Sequence, residues 1–228
     1  MINYTSNEKQ NNIHDKINNE LQNFLKNYPQ FFKEKSFKKR EIIFREDDKG
    51  NKVYILLSGL VVGYKTMQDG QKRILNFSSS NSILGNVSLT DYSLYNMTAE
   101  AIIPSRCLEI DNFSIKEVVT ENPIFFWYLY EDTVYKLRGA NKIIEESYLS
   151  AAQKIAKGLI HMSQQFGYKT ENGIEIRTNF TQEYLAQYTG TTRVTVAKVF
   201  ATLNQQGIIN SKSKPWIIKR LNELINFS

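Results

Sequence analysis

The sequence predicts an α+β chain: a β-rich N-terminal half forming a sandwich or roll, then a long helix, then a C-terminal third of short helices. Three observations carry this expectation. Between residues 33 and 113, short β-branched or aromatic runs alternate with turn residues. After Pro123, apolar residues recur at alternating spacings of three and four, which is a helical seam. In residues 181–207, TQEYLAQYTGTTRVTVAKVFATLNQQG, two short helical patterns are divided by Gly190.

Taken in order, residues 14–27 read as a short amphipathic helix with Ile17, Leu21, Phe24 and Leu25 on one side, so residues 1–32 form a helical extension. The strands are Ile42-Ile43-Phe44, Val53-Tyr54-Ile55-Leu56-Leu57, Leu60-Val61-Val62-Gly63-Tyr64, Ile74-Leu75-Asn76-Phe77 and residues 98–103. Asp47-Asp48-Lys49-Gly50-Asn51, Ser58-Gly59, Asp69-Gly70 and residues 78–82 separate them, because Gly, Asn, Asp and Ser supply turn geometry. Many short strands with regular turns imply a barrel-like roll. Glu121-Asn122-Pro123 ends this region and opens a long helix, with proline tolerated in the first turn. Along it Trp127, Tyr130, Val134, Leu137, Asn141 and Ile144 keep the spacing by which two helices pair, which predicts a homodimer interface. Phe126, Leu129 and Thr133, on another face, are expected to pack the helix on its own roll. Ser150 and Gln153 form a capping-box pair that starts a further helix to about residue 165.

In residues 181–207, Tyr184, Leu185 and Tyr188 give the first segment a face to bury. Val194, Val196, Val199, Phe200 and Leu203 give the second a helical stripe. Gly190 can take the left-handed backbone of the reversal. Thr192 can cap the second helix by accepting from the backbone N–H of residue 194 or 195, and Gly207 supplies its stop. Turn, caps and polar face together are those of a DNA-reading helix-turn-helix. The charge agrees. Residues 1–149 carry 19 Lys/Arg against 19 Asp/Glu, whereas residues 150–228 carry 10 against 4, so the whole net charge of +6 lies in the segment that contains the helix pair. Excess cations there favour a polyanionic duplex through counterion release.

Other features bound the function. Cys107 is the single cysteine, which excludes an intrachain disulfide and suits a reducing cytoplasm. The first residues lack the apolar core of a secretory signal. The longest apolar run, residues 53–64, is broken by Ser58 and Gly59 and is too short to span a bilayer, so no membrane partner is expected. Residues 33–113 hold no histidine, and no P-loop, HExxH or Gly-x-Ser-x-Gly occurs. An enzyme, including a metal-bearing β-roll, is therefore not expected.

The order of parts resembles the CRP/FNR superfamily of bacterial transcription regulators: an N-terminal jelly-roll of the cyclic-nucleotide-binding type, a dimerising helix and a C-terminal winged helix-turn-helix. The resemblance rests on Val53-Tyr54-Ile55-Leu56-Leu57-Ser58-Gly59, Asp69-Gly70, Ile83-Leu84-Gly85, Glu121-Asn122-Pro123, and Thr181-Gln182-Glu183 through Gly190 to Thr192-Arg193-Val194-Thr195-Val196. Ile208-Ile209 and Pro215-Trp216-Ile217-Ile218 then look like the paired strands of the wing. The domains implied are 1–32 (extension), 33–120 (effector-sensing roll), 121–147 (dimerisation helix) and 148–228 (DNA binding).

The resemblance implies that Arg193 reads guanine, a role that suits a guanidinium gripping O6 and N7. It makes Lys198 the second basic reader and places Thr181, Gln182, Thr192 and Thr195 near phosphates. At Val194 the family commonly has a glutamate. Valine offers only a methyl surface, so the operator should differ from the family's usual half-site at that step. The sensor departs further. Where the cyclic-nucleotide-binding members carry Gly-Glu-Leu and then Arg-Ser-Ala, this chain has Gly85-Asn86-Val87 and Tyr95-Asn96-Met97. Losing the arginine leaves a cyclic phosphate without its counter-charge in a largely apolar pocket, at a cost of several kcal/mol, so cyclic AMP is not the expected signal. One cysteine excludes a four-thiolate cluster, and His14 and His161 lie outside the roll, so no metal or other cofactor is expected.

The cassette looks most like the halorespiration-regulator branch, with an unidentified small-molecule effector framed by Leu84, Gly85, Asn86, Asn96, Thr98, Ala140 and Asn141. The expected function is a dimeric, cytoplasmic DNA-binding regulator on a near-palindromic operator, with RNA polymerase as a candidate partner. The alternative is a small-molecule-binding signalling module without DNA function.

Overall fold

The computed structural model describes residues 25–90, 94–178 and 180–228. Of the expected N-terminal helix, Ile17, Leu21 and Phe24 lie outside the described residues, as does His14. The backbone at 25–27 is helical, and Leu25 packs against the roll. The chain divides into two compact units, Met1–Lys65 with Asn76–Gly139, and Thr66–Leu75 with Ala140–Ser228.

The first unit holds the roll, apart from residues 66–75, which fall in the second. Its strands are β1 (Lys33–Phe37), β2 (Ile42–Phe44), β3 (Lys52–Ser58), β4 (Val61–Thr66), β5 (Lys72–Ser78), β6 (Ile83–Leu84), β7 (Thr98–Ala101) and β8 (Ser105–Asp111). They form two four-stranded sheets in the orders β1-β8-β3-β6 and β2-β7-β4-β5. The near-continuous apolar text of β3 has a direct cause: both its faces are buried. Tyr54 and Leu56 join Phe44, Val61, Leu84, Tyr95, Ala99 and Cys107 between the sheets. Val53 and Ile55 face the other way, onto Ile83, Ile110 and the helices.

Those helices are α1 (Asn112–Glu121) and α2 (Pro123–Glu145). The sequence reading begins the helical region at Glu121-Asn122-Pro123, but it begins at Asn112. Asp111 caps α1 by accepting from the backbone N–H of Phe113 and Ser114. Only Asn122 separates α1 from α2. The expected strand over 98–103 ends at Ala101.

Phe125, Tyr128 and Leu129 seat α2 on the roll. The expectation for Phe126 and Thr133 needs correction. Phe126 is 50% exposed, and Thr133 is an exposed residue that reaches the roll by a hydrogen bond. The spacing is helical on either reading, and which face meets the roll is set by the depth at which the large Phe125 and Tyr128 rings fit.

The second unit is built on α3 (Ala151–Phe166), which opens on the complete capping box of Ser150 and Gln153. It continues through β9 (Gly167–Thr170), β10 (Gly173–Ile176), α4 (Gln182–Thr189), α5 (Arg193–Gln205), β11 (Ile209–Asn210), β12 (Trp216–Ile218) and α6 (Leu221–Phe227). β11 and β12 pair as the wing, and β12 pairs in turn with β10, an extension the sequence reading does not contain. Gly158 of α3 lets α4 approach closely: a Cβ there would lie 2.6 Å from Thr189 and 2.8 Å from Leu185.

Candidate nucleic-acid interface

α4 and α5 are joined by the turn the sequence demands. Gly190 closes α4 at φ 63°, in the left-handed region where a side chain is strained. Thr181 caps α4 by accepting from the Tyr184 N–H at 3.2 Å, and Thr192 caps α5 from the Thr195 N–H at 3.1 Å. The Thr192 and Thr195 hydroxyls are also 2.8 Å apart.

Val196, Val199, Phe200 and Leu203 bury one face of α5, and Phe200 meets Trp216 of the wing edge-on at 5.0 Å. Val194 does not join that stripe. It is 65% exposed, because a step of two residues turns a helix through roughly 200°. Arg193, Val194, Ala197, Lys198 and Ala201 thus share the solvent face. Neither Arg193 nor Lys198 forms an ion pair with another described residue. Gln182 stands half-buried in the first turn of α4.

The rear of α5 is also fixed. Arg220 donates to the carbonyls of Gly207 (3.2 Å) and Gln206 at its C-terminal end, where a cation is favourable. Asn204 ties α5 to Ser211 at the root of the wing. Lys214 lies over the Trp216 ring at 3.4 Å and donates to the Phe180 carbonyl just ahead of α4. This partial burial brings its ammonium down to about 8. Sequence reasoning missed this anchor, although a lysine two residues before a tryptophan was its visible trace.

His161, which the sequence places outside the roll, is a partly enclosed group of the second unit. It is 3.2 Å from the Tyr188 hydroxyl and 3.6 Å from Glu146. Burial, aided by Lys142 and Lys157, brings its imidazole down to about 4, so it is neutral at ordinary pH. Burial raises the Glu146 carboxyl, against the opposing pull of the same two lysines.

In the roll, Gly85 takes φ 79° ahead of a short 3-10 turn over Asn86–Leu89. A Cβ on it would meet the Tyr95 ring at 2.9 Å and the Lys52 carbonyl at 3.1 Å. Tyr95 is buried core: it stacks on Phe44 at a centroid distance of 4.0 Å and donates its hydroxyl to the Lys52 carbonyl at 2.8 Å. Burial pushes that hydroxyl up to about 12 and keeps it a donor. Burial likewise holds the Cys107 thiol near 12, unreactive as a nucleophile.

Leu84 and Thr98 are buried, and Thr98 accepts from the Glu46 N–H at 3.0 Å. Asn86 donates to the Thr133 hydroxyl at 2.7 Å. Asn96, Ala140 and Asn141 are exposed. On α2, Trp127, Tyr130, Leu137 and Ile144 are 51–65% exposed; Asn141 is exposed beside them and Val134 is half-buried. No described helix is long and apolar enough to cross a membrane.

Comparison with known proteins gives this geometry its context. The cyclic nucleotide-binding domain family matches residues 34–122, and the Crp-like helix-turn-helix domain family matches residues 153–227. The chain is similar to the CRP-like cAMP-activated global transcriptional regulator of Mycobacterium tuberculosis, at 25% identity over 80% of this chain and 82% of that one. FixK2 from Bradyrhizobium japonicum shares the fold with a TM-score of 0.75 at 24% identity, over 86% of this chain and 97% of that one. OCPA-complexed CprK does so with a TM-score of 0.68 at 21% identity, over 87% and 92%. With a cyclic-nucleotide-type roll, a long helix and a Crp-type helix-turn-helix in this order, the chain belongs to the CRP/FNR family of DNA-binding transcription regulators, not to an enzyme family.

Proposed function

We propose that the chain acts as a cytoplasmic homodimer that reads a near-palindromic operator and answers to a small molecule other than cyclic AMP. The division of labour follows residues 33–120 for sensing, 121–147 for dimerisation and 148–228 for DNA binding. The observation that carries the proposal is the solvent face of α5, where two cations stand about one and a half turns apart beside an exposed valine. Arg193 grips guanine, Val194 offers methyl contact at the next step, and Lys198 adds a second cationic reader. Thr181, Gln182, Thr192 and Thr195 hold phosphates at the helix starts.

The large aromatic and aliphatic side chains along α2 supply the second copy's contact, because a monomer leaves Trp127, Tyr130, Leu137 and Ile144 in water. Pairing of Val134 and Asn141 completes the seam. Such a dimer sets two recognition helices roughly 34 Å apart, one duplex turn.

The effector class follows from Tyr95, whose buried ring takes the position of the phosphate-binding arginine and brings no charge. A ligand at the cassette meets Gly85, Asn86 and Asn96, the polar edge left by buried Leu84 and Thr98. RNA polymerase is the further partner that such a regulator engages.

Selecting duplexes from a random pool tests the reading. The expected winners contain two inverted half-sites about ten base pairs apart, each with an invariant guanine. Enrichment of single sites, or no enrichment at low salt, would overturn it.

A further inference from the structure

The roll and α2 are joined by more than apolar packing. β6 is the edge strand of its sheet, paired with β3 through Ile83↔Ile55 and Tyr54↔Leu84. An edge presents unpaired N–H and C=O groups that must find partners when covered. Here two α2 side chains one turn apart serve as that partner. Asp132 Oδ1 accepts from the Ile83 N–H at 3.2 Å, and Lys136 Nζ donates to the Ile83 carbonyl. The two are themselves paired, Lys136 Nζ to Asp132 Oδ2, at 2.5 Å.

Two further bonds flank this pair. Tyr128 donates its hydroxyl to the Asn81 carbonyl, and Asn86 donates to Thr133, whose own hydroxyl donates back to the Leu129 carbonyl. The ion pair is largely enclosed, with side-chain exposures of 10% for Asp132 and 22% for Lys136. Separating an enclosed pair strands a charge, so this junction resists sliding in a way an apolar face does not.

We propose that Asp132 and Lys136 are the positioning residues of this regulator: a side-chain clamp on the Ile83 backbone holds α2 at one register on the roll, and that register sets operator affinity without a bound ligand. Apolar contacts alone would leave α2 free to shift or rotate by the small amounts that such transitions use. The clamp specifies one position because Ile83 offers one donor and one acceptor, and only residues 132 and 136 carry the complementary pair. An effector at the cassette then acts by loosening or tightening a linkage that already exists. The proposal rests on the regulator reading above.

The test compares full-length wild type with Asp132→Ala, Lys136→Met and Lys136→Arg by two readouts: affinity for the selected operator and for a scrambled duplex, and hydrogen exchange of the backbone over residues 81–86. The expected result for Asp132→Ala and Lys136→Met is a loss of operator affinity of about 5- to 50-fold, within the usual range of coupling between sites. Scrambled-duplex affinity should stay the same and exchange over residues 81–86 should quicken, whereas Lys136→Arg, which keeps the cation, should retain most operator affinity. Unchanged exchange overturns the clamp whatever the DNA result. Faster exchange with unchanged operator affinity shows a purely structural tie and overturns the positioning role. A wild type that prefers no duplex fails the regulator reading instead, and with it the positioning role, while the exchange result still decides whether the clamp exists.

Discussion

The solvent face of α5 and the cassette after β6 hold the two departures that the family resemblance implies, at different depths, and the depth decides what each would mean. On α5, Val194, where the resemblance leads one to expect a glutamate, is 65% exposed. The change leaves backbone, caps and core untouched, so it alters only what the helix can touch. In the cassette, Tyr95, where the resemblance leads one to expect an arginine, is enclosed by Phe44, Tyr54 and Leu84. There the new side chain becomes part of the fold, since a buried ring contributes dispersion and area that an arginine without an anion could not. A surface site can change its preference and keep its class of partner, whereas a buried site that exchanges charge for an aromatic ring changes class.

Three experiments bear on this contrast. The largest effect is expected at Tyr95→Ala, which should destabilise the roll by about 3–5 kcal/mol as a large-to-small core change. Denaturant unfolding checks it, and a cost below about 1 kcal/mol would mean that the ring borders a ligand cavity, not packed core. Next, Arg193→Ala should remove about 1–3 kcal/mol of discrimination per half-site while leaving weak, salt-sensitive binding. Anisotropy titrations on operators substituted at each guanine would break the assignment if specificity were unchanged. The smallest effect is a shift near zero: millimolar cyclic AMP should leave the thermal midpoint of the whole protein in place. A ligand at 100 times its Kd would add about 2.7 kcal/mol, so a clear upward shift would restore the cassette to the nucleotide-binding class.

Much of the fold was legible because it rests on short-range rules. Ser150 with Gln153, Thr192 and Gly190 act through bonds and backbone angles within four residues, and the structure keeps each one. The α2 helix and the β3 core run were legible from the spacing of their apolar residues. What periodicity left open was the facing. Phe125 and Phe126 are adjacent, one buried and one half in water, and nothing local distinguishes them. Val194 was grouped with Val196 by composition, although a rotation of about 100° per residue already separates them. The short strands β9 and β10 escaped because Gly167 and Gly173 dilute their pattern, and their pairing with β12 is long-range.

By itself the sequence determined most of the element types, the turn of the helix pair with the cap of its second helix, and the charge asymmetry between the two parts of the chain. All of these depend on side-chain identity and neighbours within a few residues. Only the tertiary structure decided that Tyr95 stacks on Phe44, that His161 is buried beside Tyr188 and that Asp132 and Lys136 close on Ile83. Each joins groups more than 25 residues apart in the chain, and that proximity follows from how sheets and helices pack, which no local rule encodes.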